Sequence, residues 1–127
     1  MIFLISIGKT FSQAPEVKRQ ITAADSLRAL GKNTEAIALL QSLLAGDLSR
    51  YSDTDLGALN HKIAVYQYIN GDLNAALRSV TSAIGFRQSN QGTDLANSYY
   101  LRSAIYRELR NLGPARQDLT ESIRRWE

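Results

Sequence analysis

The chain contains no cysteine, which excludes a disulfide framework and any thiolate metal site. The single histidine, His61, has no carboxylate one helical turn away, so it does not indicate a metal site. Proline and glycine are sparse, at 2 and 8 of 127 residues, which argues against a disordered or collagen-like chain. Without a cysteine nucleophile, a glycine-flanked serine or a glycine-rich phosphate loop, we predict a non-catalytic protein with no metal and no cofactor.

The chain also lacks a large excess of positive or negative residues, and its net charge is only +3. That is less than a protein that tracks nucleic-acid phosphates usually carries. Several arginines lie close together near the end of the chain, interspersed with carboxylates: Arg102, Arg107, Arg110, Arg116, Arg124 and Arg125. This pattern is typical of a solvated helix surface. Binding of RNA or DNA through the arginines and tyrosines of this region is kept as a lower-ranked alternative.

A long hydrophobic run is absent, since the apolar segment at residues 2–7 is too short to span a bilayer as a helix. The small residues Ser12 and Ala14 precede Pro15 and resemble a signal-peptidase site, although no basic residue precedes the apolar run. Residues 1–14 are therefore interpreted as a truncated export signal, which favours an exported or periplasmic location over the cytoplasm. The alternative is an apolar arm packed on the first helix.

The main positive feature is an internal repeat of three units, at about 15–50, 54–90 and 94–127. The units align without gaps, with spacings of 40 and then 39 residues. Equivalent positions hold Ala24, Ala64 and Ser103, then Ala36, Ala76 and Ala115, then Leu40, Val80 and Leu119, and then Leu44, Ile84 and Ile123. Small residues at the first two sets allow two antiparallel helices to approach closely, so they indicate packing rather than chemistry.

Each unit has two apolar helical periods separated by a break. Gly31 and Gly71 suit a left-handed residue after a helix, and Asn33, Asp72 and Asn111 then lie where the next helix needs a capping acceptor. Ser52 to Asp55 fits a capping box before the second unit. The pattern predicts helices at 15–30, 33–46, 54–70, 73–88, 94–109 and 112–126. No segment alternates with the period of a strand.

The units resemble tetratricopeptide repeats. The residues that carry this resemblance are Ala64, Tyr66, Gly71, Asp72, Ala76, Ala83 and Ile84 in the second unit, and Tyr99, Tyr100, Arg102, Tyr106, Ala115, Asp118, Leu119 and Ile123 in the third. The family repeat is about 34 residues, so this chain is more similar to the longer-period type found in bacterial regulators. The usual glycine after the first helix is Arg110 in the third unit, and we therefore expect that turn to be built differently.

The resemblance implies an all-α, right-handed superhelix of three helix-turn-helix units whose first helices line a concave groove. It places nine residues on that surface: Ile21, Asp25, Arg28, His61, Val65, Tyr68, Tyr100, Ala104 and Arg107. Each unit contributes three of these residues, spaced four and then three positions apart, which places the three on one helix face. Tyrosine and arginine are common anchors at protein interfaces. We therefore predict a scaffold-like module that binds a protein or peptide partner in the groove, with each single residue equally open to a purely structural role.

A second interpretation follows from the end of the chain, where no capping helix follows the last unit. The apolar side of that last helix would then pack on another chain or on further protein. This favours a sensory or structural input domain of an exported signalling protein that self-associates through the uncapped helix.

Overall fold

The computed structural model describes residues 14–89 and 92–126. Within these ranges the chain is all-helical, with six α-helices, one single-turn 3-10 helix and no strand. The helices are α1 (Pro15–Ala29), α2 (Asn33–Leu44), α3 (Asp53–Ile69), α4 (Leu73–Arg87), α5 (Thr93–Glu108) and α6 (Leu112–Trp126). The predicted helices are confirmed to within two residues at each end. The 3-10 turn at Leu48–Arg50 was not predicted, and the predictions for residues 1–13 lie outside the described ranges.

Consecutive helices pack against each other, most extensively α3 with α4 and α5 with α6. The first helices of successive units also touch, α1 with α3 and α3 with α5. In the part of the chain that the structure describes, no helix combines the length and apolar character needed to cross a membrane. The fold is therefore a row of helical hairpins in which each hairpin contacts the next.

The small residues of the repeat are buried where the two helices of each hairpin meet. Ala24, Ala64, Ala36 and Ala76 have no exposed surface, and Ser103 and Ala115 are 7% and 9% exposed. Larger side chains complete two cores. The first joins α1, α2 and α3, and its buried members include Val17, Leu40, Leu59, Ile63 and Tyr66. The second joins α3, α4 and α5 through Ala64, Ala76, Val80 and Ile105.

The same backbone turn closes all three hairpins. Gly31, Gly71 and Arg110 each adopt a positive φ, at 80°, 83° and 63°. The residue that follows donates its N–H to a carbonyl five positions back, Lys32 to Leu27, Asp72 to Gln67 and Asn111 to Tyr106, as in a Schellman motif. The expectation of a different third turn is therefore wrong. The cost of a left-handed arginine, about 1 kcal/mol, is small beside the packing that the turn permits.

The predicted caps are only partly correct. The capping box is confirmed, because Ser52 Oγ accepts the N–H of Asp55 and Asp55 Oδ2 accepts the N–H of Ser52. Asn33, however, is already the first residue of α2, and its side-chain amide donates to Asn70 Oδ1 at 3.1 Å. Within the described ranges, neither Lys32 nor Asp72 makes a side-chain capping bond at its helix start. At the starts of α2 and α4, the backbone hydrogen bonds of the tight Schellman turn take the place of side-chain caps.

The third hairpin relies more on polar contacts than the first two. The guanidinium of Arg102 on α5 donates two hydrogen bonds to the Asp118 carboxylate on α6, at 2.7 and 2.9 Å. These hydrogen bonds raise the pKa of Arg102. Ser122 Oγ also donates to the carbonyl of Ala96 at 2.9 Å. The bidentate pair fixes the angle between two helices whose contact surface contains small residues.

Candidate functional site

The nine residues predicted to line the concave face fall into two groups. Asp25, Arg28, Tyr100 and Arg107 are exposed on their helices. The others are half-buried: Ile21, His61, Val65, Tyr68 and Ala104. The structure thus divides the predicted set into exposed and half-buried positions.

At the joint between α1 and α3, Asp25 is held by two groups of the next unit. The Tyr66 hydroxyl donates a hydrogen bond to Asp25 Oδ1, and Lys62 Nζ lies 3.4 Å from the same oxygen. Burial, followed by the hydrogen bond to Asp25, raises the pKa of Tyr66. Ile21 and Val65 pack beside this cluster on the first core. Asp25 is therefore both a surface carboxylate and a link between two hairpins.

At the joint between α3 and α5, His61 belongs to a polar cluster with Ser98 and Arg87. His61 Nδ1 lies 2.9 Å from Ser98 Oγ, and Arg87 Nη1 donates to the same oxygen at 2.8 Å and to the Asp94 carbonyl at 3.1 Å. Because an arginine can only donate, Ser98 Oγ accepts from Arg87, and its own proton is available for a hydrogen bond to Nδ1 of a neutral His61 that carries its proton on Nε2.

Burial, then the charges of Arg87 and Lys62, lower the pKa of His61 to about 4. Burial also lowers the pKa of Arg87. Ser98 has no exposed surface, so it cannot meet a substrate from solution. No cluster of three potential His, Cys, Asp or Glu ligands occurs in the described part of the chain. This arrangement links α3, α4 and α5 at the joint.

Lys62 was missed as a candidate for the concave face. It lies three residues before Val65 and reaches Asp25 of the preceding unit, so it faces the same side as the predicted trio. Ile69, which is 45% exposed at the end of α3, lies one turn beyond Val65 on that side. A helical-wheel comparison of the three units would have found both positions, because the spacing of three and four extends the predicted face.

The arginines of the third unit are divided between paired and unpaired groups. Arg102 binds Asp118, and Arg124 and Arg125 both bind Glu121. Arg102 also lies 5.6 Å from the Tyr99 ring centroid and 5.9 Å from that of Tyr106. Among the described residues, Arg107, Arg110 and Arg116 make no ion pair. The cations available to a ligand are therefore fewer than the sequence suggests.

A second surface becomes visible when two hairpins are compared. Helix α5 lies against α3 and α4 in what we call the inner groove, formed by His61, Ala64, Tyr68, Val80 and Arg87. The positions 39 residues further on are Tyr100, Ser103, Arg107, Leu119 and Trp126 of α5 and α6, and we call this set the terminal groove. The repeat predicts the layout of the inner groove for this set, and among the described helices only α5 packs extensively on α6.

The terminal groove continues into an exposed apolar row on α6. Leu112, Leu119, Ile123 and Trp126 are 59%, 41%, 55% and 55% exposed. Their spacing of seven, four and three places them on one face of the helix. Tyr100 on α5, at the position equivalent to His61, is 60% exposed. Several large apolar side chains that lie together on a surface indicate an interaction site more than isolated ones do.

The chain matches no family model, no curated protein and no solved structure. Its function must therefore be inferred from the residues and their geometry.

Proposed function

We propose that this chain is a tetratricopeptide-type module that binds another protein or peptide and catalyses no reaction. In this proposal the three hairpins stack into a right-handed superhelix, and the exposed sides of α1, α3 and α5 form its concave face. The observation that carries the proposal is the repetition itself. The same turn, the same buried small residues and the same contacts between first helices recur at a spacing of 40 and 39 residues.

The chemistry of the exposed sides supports binding of a polypeptide. Asp25 and Lys62 form a partly exposed ion pair, Arg28 is exposed beside them, and Tyr100 and Ala104 extend the surface onto α5. Side chains of this kind offer hydrogen bonds, charge and flat apolar area within one strip, as protein interfaces commonly do. The buried polar clusters at the joints fix the relative positions of the helices, so the strip is presented as a rigid surface.

The test is selection of a peptide from a displayed random library on the immobilised protein, followed by affinity measurements on variants. Arg28→Glu reverses a charge on the concave face, and Ala104→Glu places a long acidic side chain at the centre of α5. We expect each variant to weaken the selected peptide by about tenfold or more. Lys32→Glu is the matched control, because Lys32 is an exposed cation in the α1–α2 turn.

Thermal unfolding of Arg28→Glu and Lys32→Glu should match the wild type, since both positions are exposed, and the same measurement on Ala104→Glu, at a half-buried position, shows whether that variant keeps the fold. If no peptide is selected, or if both concave variants bind as tightly as the wild type, the concave face is not the binding surface. A loss of affinity in the Lys32→Glu control would show that the total charge matters rather than the face.

A further inference from the structure

We propose that the terminal groove, which shares Tyr100 and Arg107 with the predicted concave face, is a second binding site and that it accepts one α-helix of a partner protein. That helix is amphipathic, with large apolar residues in its N-terminal half and acidic residues near its C-terminal end. The site consists of Tyr100 and Arg107 on α5 and of Arg116, Leu119 and Trp126 on α6.

The shape of the occupant follows from the inner groove. There the equivalent surface of α3 and α4 is occupied by α5, a helix that places Ser98 near one end and Ile105 near the other. The terminal groove repeats these positions with a spacing of 39 residues. A helix that lies as α5 does is therefore the element that this surface is built to receive.

The N-terminal half of the occupant is apolar because two groove positions differ. In the inner groove, His61 and Arg87 bind the Ser98 hydroxyl near the start of α5. In the terminal groove these positions hold Tyr100 and Trp126, both more than half exposed. Two aromatic rings do not reproduce the hydrogen bonds that an arginine and a histidine make with a serine. They pack well against a leucine or phenylalanine.

The C-terminal half of the occupant is acidic because two other positions are uncharged in the inner groove and positively charged in the terminal groove. Tyr68 and Leu77 pack on the second core, where Leu109 follows the end of α5. Their equivalents are Arg107 and Arg116, which are exposed and form no ion pair within the described residues. Aspartate or glutamate at the matching place would pair with these cations. The negative end of the helix dipole adds to this attraction.

A second copy of this chain fits the groove less well. Head-to-tail stacking would bring the outer face of α1 to the terminal groove, and that face is polar, with Arg19, Thr22 and Ser26 exposed at helical spacing. A two-fold contact through α6 would bring Arg116 of both copies into one contact, where like charges repel. An acidic helix from a different protein satisfies both the apolar row and the cations.

The experiment uses the full chain and two synthetic peptides based on α5. Both peptides have the sequence of residues 93–109 with Ser98→Leu, which suits the aromatic pair. One also carries Leu109→Glu and the other Leu109→Lys, so that they differ only in the sign of the charge at the end facing the arginines. Affinities are measured by titration calorimetry or fluorescence anisotropy at low salt, where exposed charges are little screened.

We expect the wild type to bind the acidic peptide at least about tenfold more tightly than the lysine peptide. Arg116→Glu should reverse that order, and Leu119→Asp should weaken both peptides by about tenfold or more. Arg78→Glu is the matched control, since Arg78 is an exposed cation of α4 outside both grooves. Arg28→Glu on α1, at the far end of the concave face, should leave these affinities unchanged, which separates binding in the terminal groove from binding along the concave face.

The proposal is wrong if the acidic peptide does not bind, if both peptides bind equally, or if Leu119→Asp has no effect. It is also wrong if sedimentation shows a wild-type dimer that Leu119→Asp converts to monomer, because a second copy would then occupy the groove. Thermal unfolding of each variant checks that a loss of binding is not a loss of fold.

Discussion

Helices α4 and α6 are the second helices of successive hairpins, and within the described residues only α4 is covered by a later helix. Val80 and Ile84 of α4 are 0% and 5% exposed, whereas the equivalent Leu119 and Ile123 of α6 are 41% and 55% exposed. The residue types at these two pairs of positions are similar. The comparison shows that these positions are core or surface according to whether another helix packs over them, and not according to their own residue type.

The most direct test of this comparison introduces the same charged residue, in two separate variants, at Val80 and at the equivalent Leu119. Val80→Asp buries a carboxyl group against Ile105 in the second core, and we expect it to cost at least about 4 kcal/mol of unfolding free energy. Leu119→Asp, on the exposed row, should cost less than about 1 kcal/mol. Urea unfolding followed by circular dichroism measures both. Equal losses would mean that α6 is covered in solution.

Acidification should weaken the inner joint and leave the terminal groove unaffected, because His61 is replaced there by Tyr100. The pKa of His61 is lowered to about 4 in the folded protein, against about 6.5 when unfolded. Between these values the unfolded state binds a proton that the folded state does not. Stability is therefore complete above about pH 6.5 and falls as the pH drops towards 4, by at most about 3 kcal/mol.

The measurement is the free energy of unfolding at several pH values for the wild type and for His61→Asn, which keeps an acceptor for the Ser98 hydroxyl but does not titrate. Carboxylates contribute to both proteins alike, so the difference between the two curves isolates His61. A constant difference between pH 7 and pH 4.5 would contradict a buried neutral histidine at this joint.

A smaller effect is expected from filling the space beside Arg87. A Cβ added at Gly57 would lie 2.8 Å from Arg87 Cγ, so Gly57→Ala must displace the side chain that binds Ser98 and the Asp94 carbonyl. We expect a loss of about 2 kcal/mol. The third hairpin has Ala96 at the equivalent position and Trp126 instead of Arg87.

Gly85→Ala is the matched control for this prediction. Gly85 is also helical, but an added Cβ would meet nothing within 4 Å, so the substitution should stabilise α4 by up to about 1 kcal/mol. Thermal unfolding of the two variants should therefore shift in opposite directions. If both substitutions destabilise the protein, the stability depends on helix α4 itself and not on its contact with α3.

Much of the helical architecture was predictable because it depends on local signals. Apolar periodicity and the Ser52–Asp55 capping box located helices α1 to α6 to within two residues. The prediction for the third turn failed at Arg110, because a missing glycine was taken to exclude a left-handed residue. The capping prediction failed at Asn33, whose side chain instead donates to Asn70 of the next unit.

The candidate sites were less predictable than the helices. The resemblance placed Tyr100, Arg107 and His61 on one binding surface, which stays a prediction. Tyr100 and Arg107 are exposed, and His61 is half-buried and hydrogen-bonded with Ser98 of the following unit. Which side chains remain free depends on partners that are 37 or more residues away, and helical spacing alone does not identify those partners.

The all-helical hairpins and their register follow from the sequence alone, because helix periods, turns and the close approach of small residues depend on neighbours along the chain. Which repeated positions are covered depends on contacts between distant helices, and those contacts distinguish the inner groove from the terminal groove. Burial requires a second element, and local sequence does not specify which element that is. An isoleucine at position 84 and one at position 123 have similar local surroundings, and a helix packs over only the first of them.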